Sequence, residues 1–278
     1  NRSMNKRKVY FWSLTVALGG FLFGFDTAVI SGGEQAIQEL WNLSDFMLGQ
    51  MVGMALYGTI LGAIFGGIPA DKYGRRTTLF WVALLYLSSA IGSAFAWDIY
   101  SLMFFRFIGG IGVGASSVAA PMYISEIAPA EKRGQLAALF QFNIVFGILI
   151  AFASNYIIGA GDNGGWRIML GVEIIPAALF TYLITKVPRS PRWLVVKKGL
   201  IDEARGVLQM INPEKAEDAL QEIIQSAKED EKKEKVPFFT AKYRKPILLA
   251  FLIAFFNQVS GINAIIYYAP RIFEDTGL

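Results

Sequence analysis

Apolar positions in this chain fall in long blocks broken by short polar segments. Seven blocks stand out, at residues 10–31, 48–69, 78–97, 100–124, 136–158, 166–186 and 246–269. A helix rises about 1.5 Å per residue, so about twenty apolar residues cross a bilayer core of about 30 Å. Each block predicts a membrane-spanning helix. The first, YFWSLTVALGGFLFGFDTAVIS, follows a basic start, as a signal peptide would. It is too long for one and holds Asp26, so it predicts a first spanning helix. Between blocks six and seven the pattern changes. LIDEARGVLQMI and AEDALQEIIQSAKEDEKK keep apolar residues at three- and four-residue spacing, which predicts two amphipathic helices parted by Asn212-Pro213.

Charge orients these blocks. Arg2, Lys6, Arg7 and Lys8 precede block one, Lys72, Arg75 and Arg76 follow block two, and Lys132 and Arg133 follow block four. The stretch from Lys186 to Lys245 is dense in both cations. The segments 32–47, 98–99 and 159–165 hold no lysine or arginine and carry Glu34, Glu39, Asp45, Asp98 and Asp162. The positive-inside bias therefore predicts a multi-pass protein of the cell membrane with a cytoplasmic N-terminus. The run Lys228–Lys235 reads as a solvated helix end. Spans one to three and four to six predict two three-helix units, as in repeat-built transporters. The expected division is 1–187 for a six-helix bundle, 188–245 for a cytoplasmic helical domain and 246–278 for the seventh span. A polar loop leading to a seventh span suggests part of a longer protein.

Composition narrows the chemistry. Apolar residues make up 54% of the chain and charged ones 17%, with mean hydropathy +0.43. No cysteine or histidine is present, which excludes thiol nucleophiles, thiolate or imidazole metal sites and the usual general base. No nucleophile–base set emerges, so an enzyme is not expected and no cofactor is implied. The net charge of +4 sits in the basic loops and implies no nucleic acid. FIGGIGVG has no preceding strand and lies in a span, so it is no dinucleotide fingerprint. The repeats Gly58, Gly62, Gly66, then Gly49, Gly53, then Gly110, Gly114 predict close helix approach.

Charges inside the spans carry the functional reading. By rise along each helix, Asp26 lies about 24 Å from the inner edge, while Arg106 and Glu173 lie about 9–10 Å below the outer edge. All three therefore share one layer. A carboxylate beside a guanidinium stays ionised, whereas buried without one it takes a proton. That pairing suits a proton relay, and equally a fixed ion pair that sets helix register. Span seven, FFNQVSGINAIIYYAP, is unusually polar, with Gly261 and Pro270 weakening its helix. Gln258, Asn263 and Tyr267 share a broad face beside Asn257, and span five adds Gln141 and Asn143. Amides suit a neutral, hydroxyl-rich solute, or else hydrogen bonds between helices. DKYGRR predicts a tight turn, an acid at one end and two arginines at the other, that caps the next helix and pairs with acids on neighbouring loops, and SEIAPAEKRG puts Glu126 and Arg133 at the same membrane face. Together these form a candidate salt-bridge cluster closing an inner gate.

GFDTAVISG, DKYGRR, RFIGGIGVG, PMYISEIAPAEKRG, PRSPRWL and NQVSGINAIIYYAP resemble the sugar porter branch of the major facilitator superfamily. The motifs run through the chain in family order and match the first half of that fold, its cytoplasmic helical domain and its seventh helix. The resemblance implies an all-α membrane protein whose N-terminal six-helix bundle is a 3+3 inverted repeat. It implies proton coupling by Asp26, Arg106 and Glu173. It implies sugar contacts from Phe23, Gln141, Asn257, Gln258, Asn263 and Tyr267. It also implies a cytoplasmic latch of Asp71, Arg75, Arg76, Glu126, Arg133 and Arg192. Three positions depart from the pattern. Asn257 replaces a second glutamine, Ile148 stands where the xylose symporter has glutamine, and Arg189 replaces the usual glutamate. The expected activity is proton-coupled symport of a hexose or pentose by alternating access, in a monomer held in the lipid bilayer. A passive facilitator and a non-transporting sugar sensor are the alternatives.

Overall fold

A computed structural model describes residues 6–129, 132–159, 165–232 and 240–277, with the backbone alone at 6, 231, 232 and 242. The expectations for Arg2, Asp162, Lys233 and Lys235, and for the side chains of Lys6 and Lys232, lie outside the described residues. Among the described residues every regular element is helical.

Among the described residues, seven helices are long and apolar enough to cross a membrane. Span one is α1 (Lys6–Val29), prolonged by a tight turn at Ile30–Gly32 into the short α2 (Glu34–Leu40). Span two is α3 (Asp45–Phe65), started by Ser44, whose hydroxyl accepts from Met47 N at 3.3 Å. It runs into α4 (Gly67–Tyr73). Gly74, at φ +95°, then turns the chain into span three, α5 (Arg75–Ala94). Span four is α6 (Ile99–Ile127), opened by a capping box in which Asp98 Oδ1 accepts from Ser101 N at 2.7 Å. Span five is α7 (Arg133–Ile158).

Two spans are broken. Span six is α8 (Gly165–Gly171) followed by α9 (Ile174–Ile184), with Glu173 at the break. Span seven is α13 (Arg244–Val259) followed by α14 (Ile262–Asp275). They part at Gly261, whose φ of +79° ends the first half-helix as only glycine does cheaply. A second bend falls at Tyr268, ahead of Pro270. Between spans six and seven lie α10 (Pro191–Trp193), a wide turn at Leu194–Lys198, α11 (Ile201–Ile211) and α12 (Ala216–Lys232).

Glycine contacts set the bundle. A Cβ at Gly24 would overlap Ile144 O, and one at Gly147 would overlap Phe21 O, so α1 and α7 touch backbone to backbone. Gly58, Gly62, Gly110 and Gly114 do the same for α3 and α6. Spans one and five pair, and so do two and four. Exchanging each span with the one three places on turns one pair into the other, as a two-fold repeat requires. Gly49 and Gly53 differ from the expectation: each has open space around it and packs on no helix among the described residues.

One core cluster joins Val16, Tyr86, Ala119, Tyr123 and Phe180 to Trp193, Leu208 and Leu220, so α10–α12 dock under the bundle end where α1 begins. A second gathers Phe25, Val29, Ile37, Met51, Leu102 and Trp166 with Tyr267 at the opposite end.

Candidate functional site

Between the two clusters sit three buried charges. Asp26 is 3% exposed, Arg106 1% and Glu173 2%. Arg106 Nη1 stands 3.8 Å from Asp26 Oδ1, and Glu173 lies within electrostatic reach of both. Asp26 Oδ2, Arg106 Nε and Nη2 and Glu173 Oε1 have no hydrogen-bond partner among the described residues. The separation is wider than a charge-assisted hydrogen bond of about 2.7–2.9 Å, so this is a loose pair rather than a locked fork. Local structure explains the gathering. Gly109 on α6, one turn beyond Arg106, carries no side chain, and a Cβ there would stand 3.7 Å from Asp26 Oδ1. The break in span six brings Glu173 inward ahead of α9. Tyr267 of α14, 4% exposed, lies within reach of the Arg106 and Asp26 charges.

The proposed sugar contacts are more scattered. Asn263 Nδ2 donates to Gln258 Oε1 at 2.7 Å across the break in span seven. Asn257 and Gln258 are exposed, and Gln141 is exposed on α7. Phe23 is half-buried against the first core cluster. No hydrogen bond among the described residues joins Gln141 to the span-seven amides. Asn143 differs from the expectation, since its Nδ2 donates to Leu139 O at 2.8 Å on its own helix. Tyr267 shares no open face with Gln258 and Asn263; it is packed inside.

The charged end holds one correction. Asp71 does not cap α5, whose N-cap is Gly74 with no side-chain bond. Asp71 Oδ1 instead lies 3.0 Å from Arg75 Nη1. Glu126, in the last turn of α6, meets Arg75 Nη2 at 3.0 Å, the expected pairing between the two motifs. Arg133 and Arg192 line the same cleft of about 710 Å³, and Arg192 Nη2 lies 3.4 Å from Asp230. Arg76 points elsewhere and donates to Thr185 O at 2.8 Å. Trp193 Nε1 donates to Asp71 O at 2.9 Å, tying α10 beneath the turn at Gly74.

Among the charged pairs not foreseen, one is bidentate and buried. Arg271 Nε donates to Glu34 Oε1 at 2.8 Å, and its Nη2 donates to Glu34 Oε2 at 2.6 Å and to Gln38 Oε1 at 2.8 Å. No sequence motif marks these residues, which lie 237 positions apart.

Comparison with known proteins decides the family. The profile described as "Sugar (and other) transporter" matches residues 12–278. The chain belongs to this family. It is 41% identical to a D-xylose transporter of Levilactobacillus brevis over 99% of this chain and 60% of the relative. It is 38% identical to an arabinose-proton symporter of Bacillus subtilis, over 99% of this chain and 61% of that one. Among solved structures, the proton:xylose symporter XylE bound to 6-bromo-6-deoxy-D-glucose superposes with a TM-score of 0.85 at 34% identity, covering 98% of this chain and 64% of that one. A partially occluded, inward-open form of XylE from E. coli gives 0.85 at 35% identity, covering 95% and 67%. This sugar porter therefore has the N-terminal six-helix bundle of the major facilitator superfamily plus a seventh helix, and is a multi-pass membrane protein. It spans about three-fifths of the length of these curated relatives.

Proposed function

We propose that the protein containing this chain is a proton-coupled monosaccharide symporter working by alternating access, and not an enzyme. The observation that carries the reading is the loose Asp26–Arg106 pair, buried beside Glu173 with unpartnered atoms on all three side chains. Removing one partner of a buried pair costs about 3–5 kcal/mol, because a bare charge stays in low dielectric. When Arg106 draws away, Asp26 avoids that cost by taking a proton. When Arg106 returns, the proton leaves. A carboxylate switched in this way couples proton binding to helix movement, and a sugar that favours one arrangement completes the coupling. The relatives named as a D-xylose transporter and an arabinose-proton symporter support a pentose as substrate, and the 6-bromo-6-deoxy-D-glucose bound to XylE supports a hexose.

Under this reading Asp26, Arg106 and Glu173 handle the proton. Phe23, Gln141, Asn257, Gln258, Asn263 and Tyr267 contact sugar. Asp71, Arg75, Arg76, Glu126, Arg133 and Arg192 hold the inner gate. The bundle at 1–187, the helical domain at 188–245 and the span from 246 act as separate parts of a monomer in the cell membrane. The basic end is cytoplasmic, with the N-terminus there. A Gly206→Cys variant in α11 is then labelled by an impermeant thiol reagent only from the inner side.

The test uses the full-length protein with Asp26→Asn. Accumulation driven by a pH gradient falls at least tenfold, while exchange of labelled for unlabelled sugar without a gradient persists. Unchanged accumulation would leave a passive carrier.

A further inference from the structure

Among the described residues, Glu34 is the most deeply buried carboxylate outside the spans, with its side chain 1% exposed, and its partner comes from the far end of the chain. Arg271 grips both of its oxygens, and the same guanidinium holds Gln38. A second bond repeats the join, Gln35 Nε2 to Glu274 Oε2 at 3.2 Å. All four contacts run between α2 and α14. They add to the apolar packing of Ile266, Tyr267 and Tyr268 on the cluster around Val29 and Ile30 in tying the outer half of span seven to the corner where span one ends.

The element so held is built to move. Gly261, in the left-handed region, separates α14 from α13, and Tyr268 departs from helical geometry ahead of Pro270. The half-helix therefore has a hinge at its start and a soft point in its middle. Tyr267 lies one turn before Arg271. It reaches the buried layer of Asp26 and Arg106 and is itself almost wholly covered. A fork of two hydrogen bonds fixes the guanidinium plane as a single contact cannot. The grip of Arg271 thus sets how far Tyr267 is pressed over the layer.

We propose that Arg271 is a positioning residue: its fork on Glu34, backed by Gln38, docks α14 against α2, seats Tyr267 over the Asp26–Arg106 layer and closes the outer entrance to the site. The fork releases for sugar to enter from outside and re-forms behind it. This rests on the transport reading above for its direction, but the docking itself does not depend on proton coupling.

The experiment joins α2 to α14 at the neighbouring contact, leaving the fork intact. Gln35→Cys and Glu274→Cys are introduced together into the full-length protein in membranes; this chain has no cysteine of its own. A cleavable bifunctional thiol reagent then bridges them. The bridged protein loses sugar exchange at least tenfold and regains it on reduction. Adding Arg271→Gln slows bridging several-fold, and the swapped pair Glu34→Arg with Arg271→Glu restores the rate. Bridged protein that exchanges sugar at the unbridged rate, or bridging indifferent to Arg271→Gln, overturns the proposal. Lack of exchange before bridging would count against the transport reading instead, and the bridging rates would still decide whether Arg271 docks α14.

Discussion

Asp26 and Glu34 show how the same side-chain chemistry is used in two ways. Asp26 faces a cation 3.8 Å away with an oxygen unpartnered, whereas Glu34 is gripped at 2.6 and 2.8 Å on both oxygens. The first arrangement tolerates loss of its partner and the second fixes a position. Burial pushes the Glu34 carboxyl above the usual glutamate range even though Arg271 pulls it down. A proton therefore binds the docked form more tightly than an undocked one with Glu34 in water, so acid favours docking and rising pH opposes it. The groups facing Glu34 are Arg271 and Glu274 of α14, with Tyr268 close by. In Arg271→Gln the pull downward is gone, and Glu34 docks only when protonated. Bridging of the Gln35→Cys/Glu274→Cys pair in that background, divided by the rate of the same pair with Arg271 present, rises several-fold between about pH 8 and about pH 5.5. A flat ratio contradicts the assignment.

Much of the helical pattern was legible in the sequence, because spans of about twenty apolar residues have few alternatives in lipid. The shared layer of Asp26, Arg106 and Glu173 was legible too, since depth follows from rise along a helix. Three things were not read. The break beside Glu173 in span six is averaged over by hydropathy, although Pro176 in the first turn of α9 has no N–H to give Val172 O and its ring crowds that carbonyl. Glu126 sits before a proline-containing segment that reads as loop, yet α6 continues to Ile127. The Glu34–Arg271 fork joins two unremarkable loop-edge charges far apart in the chain, and short-range spacing is blind to it. Glycine spacing alone also failed to separate contact from surface. Gly24→Leu would drive a side chain into Ile144 and part α1 from α7, and the yield of folded protein in detergent should fall more than tenfold. Gly49→Ala faces open space and gains helix propensity of about 0.8–1 kcal/mol, so its yield should hold or rise. Equal losses in the two variants would contradict this packing.

At the scale of the molecule, the two core clusters sit on either side of the charged layer and give it two independently held ends. One end is fastened by Asp71, Arg75 and Glu126 with Trp193 beneath, the other by Arg271 on Glu34. Under the proposed function, alternating access opens one of these two closures while the other holds, and the buried acid between them responds to which has opened. The large apolar side chains Phe251, Phe255 and Phe256 of α13 are exposed, as suits a span that meets lipid or further helices. The most direct test of this account is proton movement in lightly buffered vesicles containing the full-length protein. Adding sugar outside should draw protons in and alkalinise the medium. Asp26→Asn should abolish that signal while labelled sugar still exchanges across the membrane. Alkalinisation of equal size in Asp26→Asn would contradict it, because the proton would then be carried elsewhere.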